Sequence, residues 1–226
     1  MKKKFSRLTD VFCDWNGTLL NDLAVVYGSV KRIFETFDLK APPLAVYQND
    51  ISSDYMNTFY WKYGIPKTFT AEELNKIRMR YFEERWDKPR LFPRVIETVG
   101  GLKNLGAPTH IVTSEDTEIM RRRIDQFSLA RDFDIICADA KDKRARLMSF
   151  NAQYDIALSS TVYVDDSADG IAAAKSLGMA TIGILFGYQP EWRIRNAKPD
   201  FTAGNFREVG RILLSMANEE GMRSAS

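Results

Sequence analysis

The sequence predicts an α/β fold built on a doubly wound, mainly parallel sheet, with a helical segment inserted after the first strand. Three observations carry this expectation. Short β-rich runs alternate with helix-length segments through much of the chain. The runs are mostly apolar along their length instead of alternating polar and apolar, as strands covered on both faces require. The rhythm is suspended between the first run and the second, where the chain reads as helical.

Taken in order, the first run is Val11-Phe12-Cys13, which delivers Asp14 to a tight turn marked by Gly17-Thr18. Helical segments follow over Leu23 to Phe37, Asp54 to Tyr63 and Ala71 to Trp86, broken apart by Pro42-Pro43 and Gly64-Ile65-Pro66. Thr70 is placed to cap the third of them, with Glu73 in the reciprocal position of a capping box. Pro93 is read as the start of the helix that returns to the core. The remaining runs are Thr109 to Val112, Phe133 to Cys137, Thr161 to Val164 and Thr181 to Leu185, with helices over Glu115 to Phe127 and Ala168 to Leu177. The expected division is a core of residues 1–20 and 92–226 and a helical insert of residues 21–91. No internal repeat interrupts it.

Composition bounds the function. A chain of 226 residues with 45% hydrophobic residues can bury a sizeable core. Lys and Arg total 32 against 30 acidic residues, which gives no case for nucleic acid or an acidic membrane surface as partner. The basic start Met1-Lys2-Lys3-Lys4 runs into Phe5-Ser6-Arg7, not into an apolar stretch of signal-peptide length. No segment approaches the roughly 20 apolar residues that span a bilayer. Cys13 and Cys137 lie in apolar strand-like runs, which suits buried free thiols in a reducing compartment. The expectation is a cytoplasmic protein, monomer or homodimer, whose partner is a small molecule.

In open α/β sheets ligands bind beyond the carboxyl ends of the strands, near a switch in strand order. The residues just past each apolar run are therefore the ones to weigh: Asp14, then Thr113 and Ser114, then Asp165-Asp166-Ser167-Ala168-Asp169, with Lys141-Asp142-Lys143 between. Singly each has a bland reading as a turn or cap residue. Together a carboxylate, a hydroxyl, a lysine and an acidic cluster are the inventory of Mg²⁺-assisted phosphoryl transfer. Asp14 would be the nucleophile that forms an aspartyl-phosphate. The acidic cluster would hold the metal, and the hydroxyl and lysine the phosphoryl oxygens. The lone His110 reads as structural. The aromatic set Tyr55, Phe59, Tyr60, Trp61 and Tyr63 falls at helical spacing and reads as packing within the insert, and Arg121-Arg122-Arg123 as the solvated face of a helix.

The stretches Asp14-Trp15-Asn16-Gly17-Thr18-Leu19, Val112-Thr113-Ser114, Lys143 and Val164-Asp165-Asp166-Ser167-Ala168-Asp169-Gly170-Ile171-Ala172-Ala173-Ala174-Lys175 resemble the four motifs of the haloacid dehalogenase-like hydrolases. The helical insert resembles the C1 cap of that family's phosphoglycolate phosphatase-like branch. The resemblance covers essentially the whole chain. It implies that Asp14 attacks phosphorus, that the backbone carbonyl of Asn16 and the carboxylates of Asp14 and Asp166 bind Mg²⁺, and that Asp169 supports them. Asp165 stands where a glycine is common and is a further candidate ligand. Thr113 matches the phosphate-binding hydroxyl better than Ser114 because it directly follows its strand, and Lys143, at a helix start, is preferred to Lys141 as the motif lysine.

One position departs from the pattern. The family's phosphatases usually carry aspartate where this chain has Asn16, as the acid for the leaving alcohol and the base for water. An amide offers its backbone carbonyl to a metal but carries no proton. The expectation is therefore a slow or specialised Mg²⁺-dependent phosphatase acting on a small phosphorylated metabolite. The alternatives are a catalytically weak protein that binds a phosphorylated ligand or a protein partner, or an enzyme of the family that cleaves a carbon–phosphorus or carbon–halogen bond.

Overall fold

The computed structural model describes residues 8–51 and 55–218, with the side chains of residues 55–57 excepted. The lysine-rich start, Asp54 and the Tyr55 side chain thus lie outside the described residues. Along the chain come β1 (Asp10–Cys13), β2 (Leu20–Asn21), α1 (Leu23–Thr36), α2 (Leu44–Asp50), α3 (Tyr55–Lys62), α4 (Ala71–Glu83) and β3 (Arg90–Leu91). Then follow α5 (Val95–Asn104), β4 (Thr109–Val112), α6 (Thr117–Phe127), β5 (Ile135–Cys137), α7 (Lys143–Tyr154), β6 (Thr161–Asp165), α8 (Ala168–Ser176), β7 (Ala180–Ile184), α9 (Glu191–Asn196), β8 (Phe201–Ala203) and α10 (Phe206–Asn218).

The main sheet has six strands in the order β5-β4-β1-β6-β7-β8. Every pairing in it is parallel. Strand order reverses beside β1, so the doubly wound architecture expected from the apolar runs is the one observed. All residues of β1, β4, β6 and β7 are buried, which is why these runs carry no alternation. A core of Val11, Ile111, Val162, Val164, Ile182 and Ile184 fills one face of the sheet. Phe12, Val112, Leu147, Phe150 and Tyr163 fill the other.

Between β2 and β3 the four helices α1 to α4 gather a hydrophobic cluster of their own, centred on Val30, Ile33, Phe34, Tyr47, Phe59 and Leu74. Phe59 and Tyr60 are buried in it, as their helical spacing led us to expect. Thr70 closes the capping box with Glu73, each side chain bonding the other's backbone N–H. The antiparallel pair β2–β3 forms the two-stranded stem through which the chain enters and leaves this helical segment.

Three helix starts differ from expectation. Helix α2 follows Pro42-Pro43, which read only as a break; Pro43 stands at its N-cap. The helix expected from Pro93 begins at Val95, with Arg94 at its N-cap in the left-handed region at φ 77°. Helix α6 begins at Thr117 because Asp116 caps it, accepting from Glu118 N and Ile119 N.

The arginine triplet is not simply solvated. Arg121 is, but Arg122 pairs with Glu83 of α4. Arg123 is buried, donates to the Trp86 carbonyl at 2.6 Å and lies 3.7 Å from the Trp86 ring centroid. Arg193 of α9 makes a second tie, donating to the carbonyls of Asn49 and Ile51, both at 2.9 Å. His110 is buried in β4 with Nε2 2.8 Å from Asp10 Oδ1, a structural pairing as expected. Cys13 and Cys137 are free, Cys13 buried and Cys137 half-buried.

Candidate active site

Three parallel strands deliver the site. Register pairs Cys13 of β1 with Ile111 of β4 on one side and Val164 of β6 on the other. Within the next two residues of each strand, Asp14, Thr113, Asp165 and Asp166 therefore emerge at one edge of the sheet. The Asp14 N–H still bonds the Val164 carbonyl at 2.9 Å, so the carboxylate is held by the sheet itself. Past it the chain folds tightly: the Trp15 carbonyl accepts from Leu19 N and Leu20 N, both at 2.9 Å, and Gly17 adopts φ 72°. A Cβ on Gly17 would lie 2.2 Å from Asp166 Oδ2, so this turn needs glycine for its conformation and for the carboxylate beside it.

At the centre stands Lys143, the first residue of α7. Its Nζ is 3.1 Å from Asp14 Oδ1 and 2.8 Å from Asp165 Oδ2. Lys141 is exposed and touches neither. Asp142 fixes the choice, because its side chain accepts from Ala145 N and so starts the helix one residue later, at Lys143. Asp166 accepts from the Tyr188 N–H at 2.5 Å and the Thr18 hydroxyl at 3.3 Å. Among the described residues, Asp14, Asp165 and Asp166 bring one carboxylate oxygen each within 4.8 Å of one another, a group able to hold a metal ion.

Asp169 is not part of this group. It sits in the first turn of α8, exposed, while Asp165 one turn earlier points inward from the strand end. Gly170 makes room for that: a Cβ there would lie 1.9 Å from Asp165 Oδ2. Thr113 is buried, its hydroxyl accepting from Glu115 N, whereas Ser114 is exposed.

The electrostatics call for a cation. Three buried carboxylates against one ammonium leave two negative charges without a partner. Burial pushes Asp14 up to about 6, with Lys143 pulling the other way. Burial and the Asp165 and Asp14 charges hold Asp166 well above the usual carboxylate range. Burial alone would depress Lys143, but the facing Asp14 and Asp165 raise it well above the ordinary lysine value. An all-oxygen donor set of this charge fits a hard divalent ion.

The haloacid dehalogenase-like hydrolase family matches residues 11–184, a span that includes Asp14, Thr113, Lys143, Asp165 and Asp166. The chain belongs to this family. The relatives that this haloacid dehalogenase-like hydrolase resembles include phosphoglycolate phosphatases. It is 26% identical to the phosphoglycolate phosphatase of Pasteurella multocida over 214 residues, 88% of this chain and 96% of that protein. The Escherichia coli phosphoglycolate phosphatase is 28% identical over 142 residues, 60% of this chain and 56% of that protein. The fold is shared with a predicted phosphatase from Clostridium acetobutylicum, at TM-score 0.79 and 19% identity, covering 93% of this chain and 100% of that one. A predicted phosphoglycolate phosphatase from Haemophilus somnus aligns at TM-score 0.77 and 20% identity over 91% and 97% of the two chains.

In this haloacid dehalogenase-like hydrolase the Asn16 amide is not idle. Its Nδ2 donates to Asp22 Oδ2 at 2.8 Å and to Glu115 Oε2 at 3.1 Å. Asp22 is buried, and burial pushes it up to about 6 although the Asn16 hydrogen bond draws it down. In the sequence Asp22, Glu115 and Tyr188 have no role in the site, and Thr18 has only a place in the turn after Asp14. Glu115 reads there as the first residue of a helix; only its position two residues past Thr113 hinted at the site.

Proposed function

We propose that the protein is a Mg²⁺-dependent phosphatase acting on a small phosphorylated metabolite through an aspartyl-phosphate on Asp14. The observation that carries this reading is the Lys143 ammonium set between Asp14 and Asp165 at the edge of the sheet, with Asp166 alongside. Asp14, Asp165, Asp166 and the Asn16 carbonyl would hold the ion. When bound, Mg²⁺ would neutralise the carboxylates and draw charge from the phosphoryl oxygens. Asp14 attacks phosphorus and the ester oxygen departs, leaving the phosphoryl group on the carboxylate. Lys143 and Thr113 bind the phosphoryl oxygens through the transfer. Water then attacks the acyl phosphate and returns Asp14.

Asn16 stands where the family's proton carrier usually stands, so the leaving alkoxide and the attacking water lack that assistance. General acid–base catalysis is worth roughly 10² to 10⁴ in rate. The enzyme is therefore slow on alkyl phosphates and fares best with leaving groups that need no acid. A panel of phosphate monoesters, phosphoglycolate included, assayed with and without Mg²⁺ tests the reading. Hydrolysis that persists undiminished in EDTA, or none of any ester with Mg²⁺ present, would sink it.

We further infer that residues 21–91 act as a cap that excludes water and contacts the part of the substrate remote from phosphorus. Their separate hydrophobic cluster and the ties through Arg122, Arg123 and Arg193 support this. Exchange of residues 21–91 for another C1 cap is expected to change the preferred metabolite while small aryl phosphates stay substrates. An unaltered preference profile in a folded chimera would count against it.

A narrower prediction concerns Gly170. Alanine is the better helix former by roughly 1 kcal/mol, yet in α8 its Cβ would displace the Asp165 carboxylate. We predict that Gly170→Ala weakens Mg²⁺ binding about tenfold or more by calorimetry, in line with the cost of disturbing groups that orient metal ligands. Unchanged affinity would mean that Asp165 is not a ligand.

A further inference from the structure

Asn16 is held in a way that an aspartate could not be. Both hydrogens of an amide NH₂ are available to donate, and here they are spent on two carboxylates, one from the entry to α1 and one from the loop after β4. The pairing also settles which way the amide faces, since only its nitrogen can meet two acceptors. Asp22 occupies the N-cap of α1, where its carboxylate would ordinarily bond the first-turn N–H groups, but it makes no such bond. It is turned instead onto Asn16. Arg123, buried beneath Trp86, supplies nearby positive charge that both Asp22 and Glu115 feel. The cleft that Asn16, Asp22, Glu115 and Arg123 line has a volume of about 10 Å³, room for roughly one water, and Asp22 and Arg123 are buried in it.

We propose that Asp22 and Glu115 are positioning residues that form a cradle for an amide at position 16, locking its carbonyl oxygen as a fixed acceptor and excluding a carboxylate. Replacing Asn16 by aspartate turns two donor–acceptor contacts into acceptor–acceptor contacts at the same distances. Position 16 thus orients a hydroxyl or a water without carrying its proton. This catalytic consequence rests on the phosphatase reading above; the cradle itself does not.

The test uses the full chain and the variants Asn16→Asp, Asp22→Asn, Asp22→Ala, Glu115→Ala and the exchange Asn16→Asp/Asp22→Asn. Melting temperature is read without metal or substrate. Asn16→Asp is expected to lower it by about 4 °C or more, and the exchange to recover most of that loss. Turnover is read on p-nitrophenyl phosphate with Mg²⁺. Asp22→Ala and Glu115→Ala are expected to lower kcat about tenfold with KM within about twofold, the signature of a misplaced group. Asp22→Asn, which keeps a carbonyl acceptor for Nδ2, is expected to stay within about threefold of wild type. An Asn16→Asp protein with unchanged or higher melting temperature, or an exchange no better than Asn16→Asp alone, overturns the proposal. If wild type hydrolyses no ester the phosphatase reading falls, and the melting temperatures alone judge the cradle.

Discussion

Asp14→Asn is expected to bring phosphate-ester hydrolysis down to background, a loss of roughly 10⁴-fold or more for a residue that forms the covalent intermediate. An amide at this position has no lone pair of sufficient basicity to accept a phosphoryl group. The substitution is close to isosteric, and it relieves crowding among three buried carboxylates, so the fold is expected to stand. Wild type quenched in acid during turnover should carry a labile phosphate, and the variant none. Retention of more than a few per cent of wild-type turnover on any ester would rule out the covalent route.

The second large effect is expected from Asp166→Ala. Its carboxylate is buried within the acidic group and steadied by Tyr188 N and Thr18, and its protonated form is favoured only while no cation is present. We predict that the variant loses Mg²⁺ affinity by more than the 10–100-fold that outer-shell changes cost, and loses turnover with it. Asp169→Ala, altering an exposed side chain of the same segment, is expected to leave both untouched. Equal calorimetric affinity in wild type and Asp166→Ala would show that the ion sits elsewhere.

Much of this architecture was legible in the chain because the central strands are buried on both faces, and unbroken apolar runs as short as Val11-Phe12-Cys13 and Thr161 to Val164 suit a covered parallel strand better than a helix. Strand β8 escaped notice because it is three residues long and partly exposed, and β2 and β3 because two residues carry no periodicity. Arg123 could have been read correctly: it shares a helical stripe with Ile119, Met120 and Phe127, which places it on the packed face. The choice between Asp165 and Asp169 was harder, since carboxylates of one short segment look alike until the strand end is known and the missing side chain at Gly170 is seen to leave space for one of them. Asp22 and Glu115 gain their meaning only from a partner, 6 positions away for one and 99 for the other, and a linear reading cannot supply it.

The place of β1 in the middle of the sheet also bears on how the protein is made. Its Asp10 to Cys13 leave the ribosome well before their partners on either side, Thr109 to Ile111 and Thr161 to Val164. The Asp14 carboxylate therefore has no formed surroundings until β6 has been synthesised. Up to then Val11, Phe12 and Cys13 are an apolar segment with both edges unpaired, the kind of stretch that chaperones hold and that aggregation exploits. Such distant pairings also slow folding relative to locally connected helical proteins of similar size. The nascent protein thus acquires its chemistry late and all at once, when β6 docks beside β1.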